Sequence, residues 1–584
     1  MFFSRNHLLY LGFIILFTLL MYFNLLRFYI PITQEIIPWG DPFTYEMSYY
    51  ELLNRIRYGS FLSAIEYIFI SNWYWLQKIL VFIFSPILIS EPYSLCIINF
   101  FLYGFASYLI FIYFEQNGYN ISISVFCSLL IWLYPINYNF IEYSALPIMG
   151  LDSTFLGALY CLIFSYLIFL NGTKKIINQL LFAICLCAAL IGRGNSITVL
   201  GMLLLYPTIN YILNLIKNKN FSDLKNFIIP SVLFVFTILI FYGIQLKQIL
   251  NYYSVFKGFF TNSLGLTFPY IKHVPGIFFY YPDMNKINLM VETDYRLVGL
   301  SLLSHLIIIY AIYNSKNITN RSLRLGLNTG IFIFYATFFL NLMLWMNPHI
   351  NIYNAQLIWA PMRVGFLLII SITLTSKFEK YSKSVFNFLS FIIIGSIFLI
   401  STNLYSTHKA ELYKNKVNSN PENIKKIQAF IKENSEDKKA IILWYGPYLN
   451  PRIVNYYSLK KGEKPINFYR DKYADDIWNQ SFNDPKFIEK VKIGIENIFN
   501  EANLIILQEK SINYSVPYAF GRYSNFISDQ ISNGKLDEFY LIGSVKSSRD
   551  NLLIFKRSNK SKNFKYIIEN NHYTFIYDTP ENIF

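Results

Sequence analysis

Apolar residues run almost unbroken over eleven stretches of the chain, at 8–28, 91–114, 121–138, 152–170, 176–192, 196–216, 226–246, 297–314, 325–345, 358–375 and 385–401. A helix crosses a hydrocarbon core with about 20 consecutive apolar residues, and with as few as about 17 where it is short. The pattern therefore predicts a polytopic α-helical membrane body over residues 1–401. Beyond it, over 402–584, Lys, Asn, Asp and Glu become frequent and the periodicity changes. Short β-rich runs at 440–445, 503–508, 539–545 and 552–555 read as strands, and 421–433 and 484–499 carry helical spacing, so this tail is expected to be a small α/β domain. Two longer segments separate the spans. The first, 29–90, holds an amphipathic stretch at 45–58 and a nearly apolar one at 73–88, both expected to lie along or dip into the membrane surface. The second runs from 247 to 296. No repeat of solenoid period is present.

Composition agrees with this pattern and excludes a string of water-soluble domains. Of 584 residues, 54% are hydrophobic and 15% charged, against about 25% charged in soluble chains. The net charge of +15 at first suggests nucleic acid, but its distribution points elsewhere. Arg5, Lys174, Lys175, Lys217, Lys219, Lys225, Lys316, Arg321, Arg324, Lys377, Lys380 and Lys383 all fall in alternate short segments. The intervening segments carry Glu35, Asp41, Glu46, Glu51 and Glu66, and 347–357 contains neither lysine nor arginine. Cytoplasmic loops collect Lys and Arg, so the N-terminus is expected inside the plasma or inner membrane and the tail outside. The surplus charge thus reports topology, and no nucleic-acid partner is expected. The first span is too long for a removable signal peptide and lacks a small-residue cleavage site, so it is read as a retained anchor. All five cysteines lie in apolar runs, where a thiol acts as a small hydrophobe, and their spacing implies neither a disulfide framework nor a metal site.

Ionisable side chains at membrane depth or at a helix mouth are costly and mark candidate chemistry. Asp41 follows Pro38-Trp39-Gly40 and opens an aromatic, partly helical run; it suits a general base toward a hydroxyl and equally a helix N-cap. Asp152 opens the fourth span, where capping is again the plain alternative. Arg193 stands between Gly192 and Gly194 at an outer face, against the positive-inside trend, and a guanidinium matches a phosphate in shape; its plain alternative is a snorkelling helix end. Arg363 lies about a turn inside the tenth span. His349 and the pair Lys272-His273 occupy outer loops, where a single histidine is more often an ordinary loop residue. Together these groups place acid and base on one face, and they suit attack by a deprotonated hydroxyl with an anionic group departing. A site facing outward has no cytoplasmic nucleotide sugar, so its activated donor would arrive on a lipid.

In the order of its features the chain resembles the multi-spanning, lipid-dependent glycosyltransferases of the GT-C superfamily, in particular the protein mannosyltransferase and aminoarabinose transferase branch. The resemblance rests on Trp39-Gly40-Asp41, on Asn54-Arg55-Ile56-Arg57-Tyr58-Gly59, on Ser90-Glu91-Pro92, on Gly150-Leu151-Asp152-Ser153, on Gly192-Arg193-Gly194, and on Leu443-Trp444-Tyr445-Gly446-Pro447-Tyr448 followed by residues 460–465. It implies a GT-C-like membrane domain with an extracytoplasmic α/β domain, a catalytic acid at Asp41, support from Asp152, and lipid-phosphate contacts from Arg193 and Arg363. In the family the aspartate is often followed directly by a glutamate and lies nearer the glycine matching Gly59; Glu46 therefore competes with Asp41. No Trp-Trp-Asp motif occurs, which speaks against protein N-glycosylation and leaves no cofactor called for, a divalent metal staying open.

The function expected from the sequence is transfer of one sugar from a polyprenyl-phosphate carrier to an extracytoplasmic glycan, lipid or protein, with inversion implied by the resemblance. His349, Lys272 and His273 join the arginines as candidate phosphate contacts. A ligase or polymerase moving whole O-antigen glycans from a diphosphate carrier is the nearest alternative. A transporter is the non-enzymatic one, although transporters place polar sites near the midplane and often carry inverted repeats.

Overall fold

The computed structural model of the chain describes residues 5–35, 41–70, 75–88, 93–133, 151–172, 174–192, 196–219, 221–243, 295–345, 352–378, 383–414, 421–435, 440–442, 454–463, 466, 485–510, 524–546, 551–569, 572–580 and 582–584. Helix α1 (Arg5–Glu35) is followed by three helices of the first loop, α2 (Asp41–Tyr58), α3 (Phe61–Ile70) and α4 (Trp75–Phe84). The apolar body continues with α5 (Tyr93–Gln116), α6 (Ile121–Leu133), α7 (Leu151–Asn171), α8 (Ile176–Ile191), α9 (Ser196–Lys217) and α10 (Ile228–Thr237), which ends in a π-helical turn, Ile238–Gly243. Then come α11 (Tyr295–Asn314), α12 (Arg321–Trp345), α13 (Ile352–Phe378) and α14 (Lys383–Lys414).

Among the described residues, seven helical segments are long and apolar enough to cross a bilayer: Asn6–Phe28, Cys96–Gln116, Thr154–Asn171, Val199–Lys217, Phe221–Gly243, Ala360–Lys377 and Lys383–Thr402. The protein is an integral, multi-pass membrane protein. Helices α5 and α7 form its centre, packed on each other and flanked by α1, α6, α8 and α13. The apolar segment of α7 is 89% buried and that around α10 only 17%, so α7 is an inner helix while α10 turns most of its surface to lipid. Several polar groups inside the body pair with one another, as a lipid environment favours. Ser107 Oγ donates to the Ser128 carbonyl at 2.7 Å, and Tyr10, stacked on Phe111 at 4.1 Å, hydrogen-bonds both serine hydroxyls. Asn24 on α1 donates to Ser401 Oγ (3.0 Å) and Thr402 Oγ1 (3.2 Å) on α14, tying the helix that enters the first loop to the one that leads to the tail. Four cysteines are buried and Cys187 is half-buried, all as free thiols.

Helices α12 and α13 cross at Gly330 and Gly365, where a Cβ on either glycine would stand 2.8 Å from the other's carbonyl oxygen. Small residues permit such approach between membrane helices, whose association rests on van der Waals contact. Gly365→Val is expected to force the pair apart and to destabilise the protein by about 1–3 kcal/mol. The check is thermal unfolding in detergent: a variant that melts with the parent would show that this crossing tolerates a side chain.

The C-terminal part is α/β. Helices α15 (Pro421–Ser435), α16 (Tyr456–Lys461), α17 (Pro485–Glu501) and α18 (Ser524–Ser532) accompany strands β1 (Ala440–Ile442), β2 (Leu504–Gln508), β3 (Phe539–Val545), β4 (Leu552–Arg557) and β7 (Asn582–Ile583), in the order β1-β2-β4-β3-β7. β1 runs parallel to β2 and β7 parallel to β3, while β4 is antiparallel to both neighbours. The hairpin β5 (Phe564–Glu569) with β6 (His572–Tyr577) forms a second sheet whose Phe564 and Phe575 pack on Phe555. The hairpin shows in the sequence only as short mixed runs and is not among the expected strands. Alternation along β2 divides the domain: Ile505 and Leu507 join the core under α17 and α18, and Leu504 and Ile506 join a second core under α15, as a period of two requires. Arg557 closes the C-terminal end of α17, its guanidinium donating to the carbonyls of Ala502 (3.0 Å), Phe499 (2.6 Å) and Asn500 (3.1 Å).

The second core does not stop at the tail. Tyr49, Tyr50, Leu52 and Leu53 of α2, Ala64 and Ile68 of α3, Val81 of α4 and Ile98 of α5 belong to it together with Ile424, Ile427, Tyr456 and Ile554. The apolar face of α2, expected from its amphipathic spacing to meet the membrane surface, is covered by protein instead. The reason is that α3, α4 and α16 pack directly on α2 and close the core over its apolar side chains.

A candidate anion pocket in the first loop

Helices α2, α3 and α4 bring three charged side chains together at the ring of Tyr67. Arg55 and Glu51, one turn apart on α2, pair at 2.9 Å. The Arg55 guanidinium lies 4.8 Å from the centroid of Tyr67 on α3, and the Lys78 ammonium of α4 lies 5.1 Å from the same ring, both within reach of its quadrupole. Lys78 is only 4% exposed. Burial pushes its ammonium down to about 8, with the Glu51 carboxylate opposing the fall; removal from water disfavours the charged form and a nearby anion favours it.

Two N–H groups here stand out. Arg55 Nε and Trp75 Nε1 are buried with no hydrogen-bond partner among the described residues, and a buried orphan donor costs about 1–3 kcal/mol unless something satisfies it. Trp75 and Lys78 share one face of α4, three residues apart. The Trp75 ring packs on Phe241 and Tyr242 of the π turn, at 5.3 Å from each. Tyr242 in turn donates to the Leu190 carbonyl at 2.8 Å and meets Ser196 Oγ at 3.2 Å. This joins α4 to the end of α8 and the start of α9, and an extra residue per turn in the π segment sets Tyr242 toward them. Arg55 also donates to the Ser63 carbonyl at 3.4 Å, and its Nε, close to a second cation at the Tyr67 ring, can take a further acceptor, which an anion supplies.

Asp41 is the first residue of α2 and Glu46 lies in its second turn, so both predicted acids share a helix with Glu51 and Arg55. Asp152 is the second residue of α7; two residues later Thr154 Oγ1 donates to Asn99 Oδ1 at 2.6 Å, fixing that end of α7 against α5. Gly192, the residue before Arg193, lies against Phe155 of α7: a Cβ there would meet the ring at 2.8 Å. The start of α7 and the end of α8 therefore adjoin. Arg363 is half-buried on α13, two residues before the glycine crossing. Arg193, His349, Lys272 and His273 lie outside the described residues, as does 443–448 of the tail motif. Sequence reasoning did not single out Lys78, Arg55, Tyr67 or Trp75 as site residues. The available signal was Gln77-Lys78 inside an otherwise apolar run, the same mark that selected Arg193 and Arg363.

The protein is thus a multi-pass membrane protein with an α/β domain docked on the first loop, whose helices gather Arg55 and the buried Lys78 around the Tyr67 ring. No family model and no curated protein matches the chain. Among solved structures, ArnT from Cupriavidus metallidurans aligns over 94% of this chain and 98% of its own at 9% identity, with a TM-score of 0.47 in the apo state and 0.49 bound to undecaprenyl phosphate. The Archaeoglobus fulgidus oligosaccharyltransferase in complex with Zn and sulfate aligns over 93% of this chain and 73% of its own, at 11% identity and a TM-score of 0.45.

Proposed function

We propose that the protein is an integral-membrane glycosyltransferase that moves one sugar from a polyprenyl-phosphate carrier to a hydroxyl of an extracytoplasmic glycan, lipid or protein. The observation that carries this reading is the pocket: Lys78 and Arg55 with two unsatisfied N–H donors, on the same short helical layer as the acidic start of α2. In the proposed reaction the Asp41 carboxylate, with Glu46 as its competitor, takes the proton of the acceptor hydroxyl. The hydroxyl oxygen bonds to the anomeric carbon as the bond from that carbon to the phosphate oxygen breaks. The electron pair leaves on the phosphate, and Lys78 and Arg55 stabilise the charge that gathers there. Asp152 supports the site, and Arg193 and Arg363 supply further positive charge, with Lys272, His273 and His349 as additional contacts from the outer loops. An N-terminus inside and a tail outside put this pocket on the face where lipid-borne donors are available.

The decisive assay offers the purified protein a set of polyprenyl-monophosphate and polyprenyl-diphosphate sugars with a radiolabel in the sugar. Label moving from the monophosphate carrier to an acceptor is the expected result. Transfer from the diphosphate carrier alone would identify a ligase, and lipid movement across vesicles without transfer would identify a transporter.

A further inference from the structure

We propose that the C-terminal domain is a positioning element of the anion pocket, acting through a latch in which Asn54 of α2 grips the end of α16. The function assigned to the pocket is the one proposed above; the latch itself stands on packing. Asn54 Nδ2 donates to the Leu459 carbonyl at 2.7 Å. That carbonyl also accepts the Gly462 N–H at 3.2 Å, while the Glu463 N–H bonds the Ser458 carbonyl at 2.8 Å. The chain thus turns out of α16 through Gly462 at φ +72°, a left-handed helix end in which the Leu459 carbonyl, with two lone pairs, accepts both the Gly462 N–H and the Asn54 amide. A Cβ at Gly462 would lie 3.0 Å from the Tyr58 ring and 3.3 Å from Asn54 Oδ1. One turn earlier, Tyr50 meets Tyr456 edge to face at 5.8 Å, with their hydroxyls 3.4 Å apart.

Tyr50, Asn54 and Tyr58 recur every four residues and form one face of α2, which the tail holds. Glu51 and Arg55 lie one residue further on, about 100° around the helix, and face Tyr67 and Lys78. Fixing the first face fixes the rotation of the second. A six-residue helix such as α16 is too short to stand alone, and its register comes from the domain core. Asn455 donates to the Ile466 carbonyl at 2.9 Å and accepts its N–H at 2.8 Å, and Gln428 of α15 bonds Ser458. The latch therefore connects the folded domain, rather than a loose loop, to the helix bearing Arg55.

The test uses the full-length protein in lipid nanodiscs with two variants, one on each side of the contact: Asn54→Leu, which keeps bulk and removes the donor, and Gly462→Ala, which strains the turn. Binding of polyprenyl phosphate is expected to weaken about tenfold in both, as loss of one hydrogen bond and its geometry allows. The donor KM should rise in step while kcat at saturating donor changes by less than about twofold, and backbone amide exchange over 41–58 should quicken. A loss of thermal stability alone would not produce that split. The latch is overturned if both variants bind the lipid and exchange over 41–58 as the parent does while Lys78→Met loses the lipid. If Lys78→Met also binds normally, the pocket's assigned ligand is wrong, and amide exchange over 41–58 still decides the latch.

Discussion

Replacing Asp41 by asparagine is expected to lower sugar transfer by at least about a hundredfold, because a positioned general base contributes on the order of 10²–10⁴ and the amide cannot accept the acceptor's proton. The protein should still fold and reach the membrane, since the change is isosteric at the first residue of α2, where asparagine caps a helix as well as aspartate. Donor binding should be little altered, so the loss belongs in kcat. The companion variant Glu46→Gln separates the two acids on α2: full activity in Asp41→Asn with collapse in Glu46→Gln would transfer the role to Glu46. Full activity in both would remove the first-loop acid from the mechanism. Melting temperature and donor affinity, measured on the same preparations, exclude misfolding as the cause of any loss.

Lys78→Met should raise the donor KM by roughly ten- to hundredfold, because a hydrogen bond to a charged group is worth about 1.5–3 kcal/mol. Methionine is one atom shorter and keeps an unbranched apolar stem, so packing near Tyr67 is largely kept. The pH profile gives a sharper result. Burial lowers the Lys78 ammonium to about 8, so its charge is complete below that pH and is lost as pH rises through it. For the parent, kcat/KM toward the donor should therefore fall above about pH 8, since that quantity follows the free enzyme. Lys78→Arg should remove this decline, because a guanidinium stays charged throughout. Stability runs the other way. Between about pH 8 and about 10.5 the unfolded chain holds the lysine proton that the folded one has released, and stability contributed by this group rises with pH across that window. A Lys78→Met variant with unaltered donor KM would dismiss Lys78 as a phosphate contact.

The membrane body was legible because its signal is local. A long apolar run has to become a helix in lipid, whatever its neighbours, and α1, α5, α7, α9 and α13 lie on the stretches that hydropathy marks. In the tail, 539–545 and 552–555 are short runs of aromatic and aliphatic residues and became β3 and β4. The hairpin β5–β6 escaped because Lys565, Glu569 and His572 interrupt its apolar positions, and its rings pack only once Phe555 is beneath them.

The candidate site divides along the same line. The acids of α2, Asp152 at the start of α7 and Arg363 within α13 are isolated charges in or beside apolar runs, where a charge is costly and therefore visible in one dimension. Lys78 and Arg55 take their meaning from Tyr67, a residue of a third helix whose ring both cations share, and no spacing rule links positions 55, 67 and 78. By itself the sequence determined the membrane class, the α/β character of the tail and the positions of isolated charges, since each follows from how a residue and its near neighbours meet water or lipid. Tertiary structure alone decided which charges share a pocket, that α2 faces the tail instead of the bilayer, and that Asn54 meets Leu459 across some four hundred residues. Such contacts depend on which apolar faces find each other, and that choice is made by the whole packed chain.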